Sequence, residues 1–532
     1  MGIAALRVVR EGTAAGRRRV IQAMRVKPRA NFREYFANDF FSIYRRLRVL
    51  IFLRQIQLVS AAPQRDAGMV LSRAQQHFSL LPIKRKLIRL FRIQRAAEKK
   101  ILPEENSAAV TFLFGLLIGK RRTKEKAAAE AGRPIHQLSK VWVGVSFAVN
   151  LAILFFYKYF DFTVDNINVI RGWMGLAPVT PGFDVLLPVG ISFYIFQALS
   201  YVVDVYRGDV RMETNFIKYA AFVSFFPQLV AGPIERSTNL LTQFDTPHKL
   251  EYDNVRDGLL RMVWGFFLKI VIADRAAILV NQVFNYCNYY EGPTVLIAAV
   301  LFAFQVYGDF AGYSNIAIGA AQVMGFKLMK NFERPYLAVS VSDFWRRWHI
   351  SLSTWFRDYL YIPLGGNRKG TVRKYINQMI VMLVSGLWHG AAWNFVLWGF
   401  MLFVFIALEK FCIGGFLERH RFLSRLYFLF LIPQTWVVFR ISDLGELGDY
   451  FSRLYPFLSS GESVFAGDLL RQLESYWWLF ALGILLATPW PRRFYEKYRA
   501  TPLVWLPLFA VFWLCLYLIA TGTGNPFLYA RF

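Results

Sequence analysis

Apolar runs long enough to cross a bilayer constrain this chain more than any other feature. VWVGVSFAVNLAILFFYKYF (141–160) is one, and further apolar runs, several of them about 18 residues or more, lie within 183–203, 258–284, 295–323, 376–408, 422–439, 477–489 and 503–521. A hydrocarbon core of about 30 Å needs roughly 20 apolar residues in a helix. Backbone groups in lipid must be paired internally, which leaves helices or closed barrels, and runs of this length suit helices. The 55% hydrophobic and 17% aromatic content agrees. The expected fold class is an all-α polytopic membrane protein, with no room for a separate soluble domain after residue 140.

Charge orients the runs. KRRTKEK (120–126) precedes the first long run, and only Arg171 lies between that run and the next, which places 120–140 in the cytoplasm and 161–182 outside. TFLFGLLIG (111–119) is too short to cross alone. NYCNYYEGPT (285–294) has no Lys or Arg and is expected outside, whereas 325–375 is basic and cytoplasmic. Residues 216–231, interrupted by Pro227 and followed by Gly232-Pro233, must then begin and end on one side, as a re-entrant or interfacial segment. Non-helical backbone is tolerated there only if protein or a cavity surrounds it.

Basic residues return at 409–425, so 376–408 must cross an even number of times, and its only break is HGAAWN. Residues 376–388 rise roughly 20 Å as a helix, short of the bilayer core. His389 is thus predicted at a hairpin apex within the membrane. The acidic stretch 441–475 and the C-terminal NPFLYARF are expected outside.

The net charge of +28 is concentrated at the N-terminus: residues 1–100 carry 23 Lys/Arg and 5 Asp/Glu, or +18. This segment has neither an apolar secretory core nor a myristoylation pattern, since Leu6 stands where Ser or Thr is needed. It reads either as a basic arm on an anionic membrane surface or as an unstructured or wrongly assigned stretch. RNA binding is the weaker reading, because no aromatic platform accompanies the charge. The chain divides accordingly into 1–108, a basic N-terminal segment, and 109–532, the membrane domain.

Among the six histidines only His389 sits in a strongly apolar run, which makes it a functional candidate. Imidazole suits general-base work near neutral pH, and the plain alternative is a hydrogen-bonded interior residue that fixes the hairpin. No Ser or Cys with an acidic orienter supports a covalent triad. Residues 343–361 have helical periodicity: Phe344, Trp348, Leu352, Trp355 and Tyr359 form one stripe, and Arg346, His349, Ser353 and Arg357 another. Such a helix would lie on the cytoplasmic surface as an anchor, or its cationic stripe would meet the phosphates of an anionic acyl donor.

LGGNRKG (364–370) lacks phosphate-loop spacing and reads as a glycine turn. Cys287, Cys412 and Cys515 read as buried, inert thiols, with no metal-ligand spacing. Gln197, Asp204, Gln305, Asp309 and Asn394, polar residues in apolar surroundings, are expected to make helix-to-helix hydrogen bonds.

FWRRWHISLSTWFRDYLYIPLGGNRKG followed by SGLWHGAAWNFVLWG closely resembles the membrane-bound O-acyltransferases, in the bacterial branch that O-acetylates alginate, other exopolysaccharides or peptidoglycan. PVGISFYIFQALSYVVDVYRG (188–208), FVSFFPQLVAGPIER (222–236), GLLRMVWGFFLKIVIADR (258–275), QVYGDFAGYSNIAIG (305–319) and NPFLYARF (525–532) extend the resemblance over about 109–532. Two departures stand out. Asn315 replaces the family's usual Asp, and residues 1–100 are arginine-rich where the family has apolar helices.

The resemblance implies a helical bundle with re-entrant segments and a central funnel or tunnel. The family's essential histidine maps onto His389 and its second functional histidine onto His349; the stripe reading, separately, sets Arg346, Ser353 and Arg357 toward the donor. The resemblance implies acetyl-coenzyme A as cytoplasmic donor substrate, no permanently bound cofactor and no metal. It also implies a polysaccharide acceptor, an extracytoplasmic esterase-like (SGNH) acetyltransferase partner, no nucleic acid, and residence as a multi-pass protein in the bacterial cytoplasmic membrane. D-alanyl transfer to teichoic acid and a non-catalytic acyl conduit or transporter are the alternatives.

Overall fold

A computed structural model describes residues 83–132, 137–181, 187–188, 190–455, 467–499, 501–521 and 528, with side chains from residue 107 onward. Residues 87–532 cluster as one unit, and the other, 1–86, falls almost wholly outside the described residues. Of the basic segment read over 1–108, residues 1–82 therefore lie outside them, whereas 83–108 belong to the helix Ile83–Glu130.

The described chain is helical throughout. In order the helices are α1 (Ile83–Glu130), α2 (Leu138–Trp173), α3 (Ile191–Arg207), α4 (Phe216–Val223), α5 (Tyr252–Phe266), α6 (Asp274–Asn285) and α7 (Gly292–Val323). They continue as α8 (Val341–Arg347), α9 (Ile350–Phe356), α10 (Thr371–His389), α11 (Trp393–Leu408), α12 (Arg421–Arg440), α13 (Leu444–Leu454), α14 (Asp468–Ala487), α15 (Trp490–Tyr498) and α16 (Pro502–Thr521). Among the described residues, five helical stretches are long and apolar enough to cross a membrane: α2, α7, α12, α16, and α11 with its continuation to Arg419.

The first long run does not stop at residue 160. α2 continues through a π-helical turn, Phe155–Tyr159, to Trp173, so most of the expected 161–182 loop is helix. At 36 residues it is roughly 54 Å long, well beyond the hydrocarbon thickness. The interrupted run 216–231 gives only the eight-residue α4, started by Asn215, whose side chain accepts from the Ile217 and Lys218 amides, and then turns. That is too short to span. LGGNRKG forms turns with Gly365, Gly366 and Gly370 at positive φ. Cys412 is exposed, against expectation, while Cys287 and Cys515 are buried.

α7 is the central post, 72% buried over its most apolar window, whereas α16 is 11% buried and faces outward almost all round. α5 and α7 approach closely because glycines meet: a Cβ on Gly265 would stand 2.6 Å from the Gly312 carbonyl, and one on Gly258 2.7 Å from the Gly319 carbonyl. Small residues permit backbone contact that dispersion and polar pairing hold in the absence of a hydrophobic drive.

The helix expected over 343–361 is broken. α8 ends at Arg347, His349 has φ 44 in the left-handed region, and α9 restarts at Ile350. The aromatic stripe is buried against protein, with Phe344, Trp348, Leu352 and Trp355 at most 4% exposed. It belongs to the core rather than to a membrane-surface anchor.

The hairpin around residue 389 is present. α10 and α11 pack against each other across the Gly390–Ala392 turn. A Cβ on Gly386 would collide with the Phe395 carbonyl and one on Gly399 with the Met382 carbonyl. Gly386→Ala should therefore separate the pair and lower thermal stability by about 1–3 kcal/mol equivalent. Gly415→Ala, with nothing within 4 Å of its Cβ, should leave it unchanged; equal melting of the two variants in detergent would refute the close-approach argument.

Candidate active site

His389 is the last residue of α10 and is 6% exposed. Its ring stands edge-on to Trp398 and Phe439, each at 5.3 Å, and 5.0 Å from Trp388. These contacts come from three helices: α10 itself, α11 through Trp398, and α12 through Phe439. His389 also lines a small cavity, about 20 Å³, with Val306, Asp309, Phe310, Trp348, Trp436, Phe439 and Leu528. That is room for roughly one water-sized group.

Asp309, on α7, is the other ionisable group in this cavity wall. Its Oδ1 accepts from Lys269 Nζ at 2.5 Å and its Oδ2 from the Leu528 amide at 2.8 Å. Lys269 also donates to Asp274 at 2.9 Å. Asp309 thus makes the helix-to-helix bond expected of it and borders the cavity as well, a juxtaposition that sequence spacing does not reveal. Leu528 brings one residue of the NPFLYARF segment into the same wall.

His349 is fully buried, with its ring 4.7 Å from Phe310 and 5.9 Å from Trp388. Trp388 therefore contacts both histidines. The His349 Nδ1–H donates to Asn331 Oδ1 at 3.0 Å, an oxygen that also accepts from the Ser351 hydroxyl at 2.9 Å. Asn331 Nδ2 in turn donates to the Ser314 hydroxyl at 3.0 Å, which fixes the amide's orientation. This bond selects the Nδ1–H tautomer, and Nε2, which has no protein partner, is left as a lone-pair acceptor.

The backbone explains why His349 accepts the left-handed conformation. The Ile350 amide donates to the Asn331 carbonyl at 2.9 Å, and the Glu333 amide to the Arg347 carbonyl at 2.9 Å. The 331–333 strand of loop thus grips both sides of the break. Non-glycine residues held at positive φ cost on the order of 1 kcal/mol and cluster at functional sites. The loop is held in turn by Glu235, whose carboxylate accepts from the Met329 amide at 2.5 Å and from Asn239 Nδ2 at 2.7 Å.

Of the remaining candidates, Ser353 sits one turn beyond His349, its amide donating to the His349 carbonyl at 2.9 Å, and the two arginines point outward. Arg346 is exposed on α8, Ser353 is half-buried with its hydroxyl on the Trp348 carbonyl at 3.2 Å, and Arg357 is exposed and paired with Asp358 at 2.7 Å. The single cationic stripe is not formed, because the break at His349 turns that side chain inward while the arginines stay outside. Gln197 and Asn394 act as expected: Gln197 holds the Phe222 carbonyl at 2.7 Å, and Asn394 holds the Val438 and Phe439 carbonyls that support the ring beside His389. Asp204 accepts from Ser237 and Tyr359, each at 2.5 Å. Asn315, where the resembled family has Asp, accepts from Arg261 at 3.1 Å.

The described residues form a helical bundle with several stretches able to span a membrane, and they bury two imidazoles against one indole, one of them on a cavity that also holds a carboxylate. The model of the membrane-bound O-acyltransferase family matches residues 209–432. The chain is 41% identical over 394 residues to a "Probable alginate O-acetylase AlgI" of Pseudomonas putida, covering 74% of this chain and 78% of the relative. It is 33% identical over 335 residues to a peptidoglycan O-acetyltransferase of Helicobacter pylori, covering 57% and 63%. A teichoic acid D-alanyltransferase of Streptococcus thermophilus is 29% identical over 223 residues, covering 39% and 53%. The chain belongs to the membrane-bound O-acyltransferase family, and it is an acyltransferase.

His349 lies outside the spanning helices, and burial pushes its imidazole from 6.5 down to about 3. The folded state therefore refuses a proton that the unfolded state takes up below pH 6.5, so this group costs stability as pH falls from 6.5 toward 3. Between pH 7 and pH 5 the wild type should lose about 2 kcal/mol more than His349→Gln. Parallel thermal-denaturation curves for the two proteins over that range would contradict a buried neutral imidazole.

Proposed function

We propose that this protein moves an acetyl group from acetyl-coenzyme A at the cytoplasmic face to a hydroxyl destined for a cell-surface polysaccharide, alginate-like or peptidoglycan, with His389 as general base. The observation that carries the reading is the placement of His389 at the α10–α11 turn, opening onto the cavity shared with Asp309. Similarity to proteins called alginate O-acetylase and peptidoglycan O-acetyltransferase supports the acetyl group and the polymer class. The lower identity to the D-alanyltransferase makes D-alanyl transfer the lesser reading.

In the reaction, the acceptor oxygen attacks the thioester carbonyl and its proton passes to the His389 imidazole. The C–S bond breaks, the imidazolium returns the proton to the departing thiolate, and an O-acetyl ester and free coenzyme A result. His349, neutral and with no protein partner on Nε2, would receive a hydrogen bond from donor or acceptor. Arg346 and Arg357, exposed on the basic face, would meet the donor phosphates, with Ser353 beside them. The protein would sit in the bacterial cytoplasmic membrane, with 216–231 re-entrant and a funnel leading to His389. An esterase-like extracytoplasmic partner would complete delivery to the polymer.

Purified protein with labelled acetyl-coenzyme A tests the base. A general base contributes about 10²–10⁴-fold, so His389→Ala should cut thioester turnover at least a hundredfold. Unchanged turnover would favour the alternative, a non-catalytic conduit in which the histidine gates passage. Arg346→Ala and Arg357→Ala should raise the donor KM with little change in kcat, and an unchanged KM in both would remove the arginines from the donor site.

A further inference from the structure

Lys158 places a basic side chain near the end of the apolar run 141–160, in the middle of the 36-residue α2, where an ionisable side chain calls for a reason. The reason lies at the end of α10. A helix leaves its last carbonyls without intrahelical partners, and the usual remedy is a left-handed residue that folds the backbone back over them. Gly390 does not do this: its φ of −160 and ψ of 155 are extended.

Side chains from α2 take over. Lys158 Nζ donates to the Trp388 carbonyl at 2.5 Å, to the His389 carbonyl at 3.2 Å and to the Ser192 hydroxyl at 3.3 Å. The Tyr159 hydroxyl donates to the Leu387 carbonyl at 2.7 Å. Three of the last carbonyls of α10, His389 included, are thus held by two consecutive residues of another helix. Those two residues belong to the π-helical turn Phe155–Tyr159, a local widening of the kind that re-aims side chains. A cation at a helix C-terminus also opposes the negative end of its dipole.

We propose that Lys158, assisted by Tyr159, is a positioning residue that fixes the backbone of His389 and so aims its imidazole into the cavity. The inference rests on the reading of His389 as the base. Lys158 is assigned positioning rather than catalysis because its Nζ is directed at the Trp388 and His389 carbonyls and the Ser192 hydroxyl. Its effect is transmitted through the α10 terminus, where a displacement of about 1 Å is enough to cost on the order of 10²-fold in rate.

The test uses the full chain in detergent and reads two quantities. One is kcat and donor KM with labelled acetyl-coenzyme A; the other is the rate of His389 carbethoxylation by diethylpyrocarbonate, followed by peptide mass spectrometry. Lys158→Met should lower kcat at least tenfold with donor KM within twofold of wild type, and should change the His389 labelling rate at least threefold. Lys158→Gln, which keeps two donors, should recover part of both, and Tyr159→Phe should give smaller shifts in the same direction. Wild-type kcat in Lys158→Met, or unaltered His389 labelling in Lys158→Met and Tyr159→Phe, would overturn the proposal. Should Lys158→Met not fold, wild-type values in both milder variants overturn it instead. If His389→Ala keeps full turnover, the base reading fails on its own, while the labelling rates still report whether Lys158 holds the turn.

Discussion

A helix end buried away from water must find partners for its last carbonyls, and the region around His389 depends on how α10 meets that requirement. Each unsatisfied polar group in an apolar setting costs several kcal/mol. A backbone cap would have bent the chain over the helix end and covered it. Capping from α2 leaves the Gly390–Ala392 turn extended, so α11 can return alongside α10 on its glycine contacts. The same contacts that satisfy the backbone tie α2, α3 and α10 together around His389.

A second device orients His349. Asn331 uses its side-chain oxygen for the imidazole and Ser351, its amide for Ser314, and its backbone carbonyl for Ile350. One residue thereby sets the tautomer, the ring plane and the local backbone. The left-handed conformation is the geometric result, since a continued helix from Arg347 would have carried residue 349 onto the exposed side with Arg346. Trp388 then lies against both rings, so the His389 cap and the His349 network meet on one indole.

The large features were legible because they follow from length and hydropathy. Apolar runs near residues 141, 295, 422 and 503 correspond to helices able to span, and the short rise before HGAAWN placed His389 at a turn. The break at His349 was not legible, because the apolar periodicity of Phe344, Trp348, Leu352 and Trp355 continues across it and only the distant Asn331 loop enforces it. The extension of α2 to Trp173 was hidden by an Asp- and Asn-bearing stretch that looks like loop, although Thr163 and Asn166 bond back to the helix carbonyls. Lys158 did leave a signal, a lone basic residue in an apolar run, but the two carbonyls it caps lie some 230 positions away. No periodicity could have named them.

Asp309 bears on how chemistry divides within the cavity. A carboxylate facing the same space as an imidazole could compete with it for a proton. Here each Asp309 oxygen already holds a donor, Lys269 on one and the Leu528 amide on the other. Lys269 also serves Asp274, so the ammonium is shared between two carboxylates and its charge stays at the α5–α7 side of the wall. Asp309 thereby anchors α7 to the stretch between α5 and α6 and to Leu528. A polar group in the wall of an apolar chamber serves here to fix that wall: with both oxygens held, the Asp309 carboxylate ties three separate stretches of the chain together beside the His389 ring.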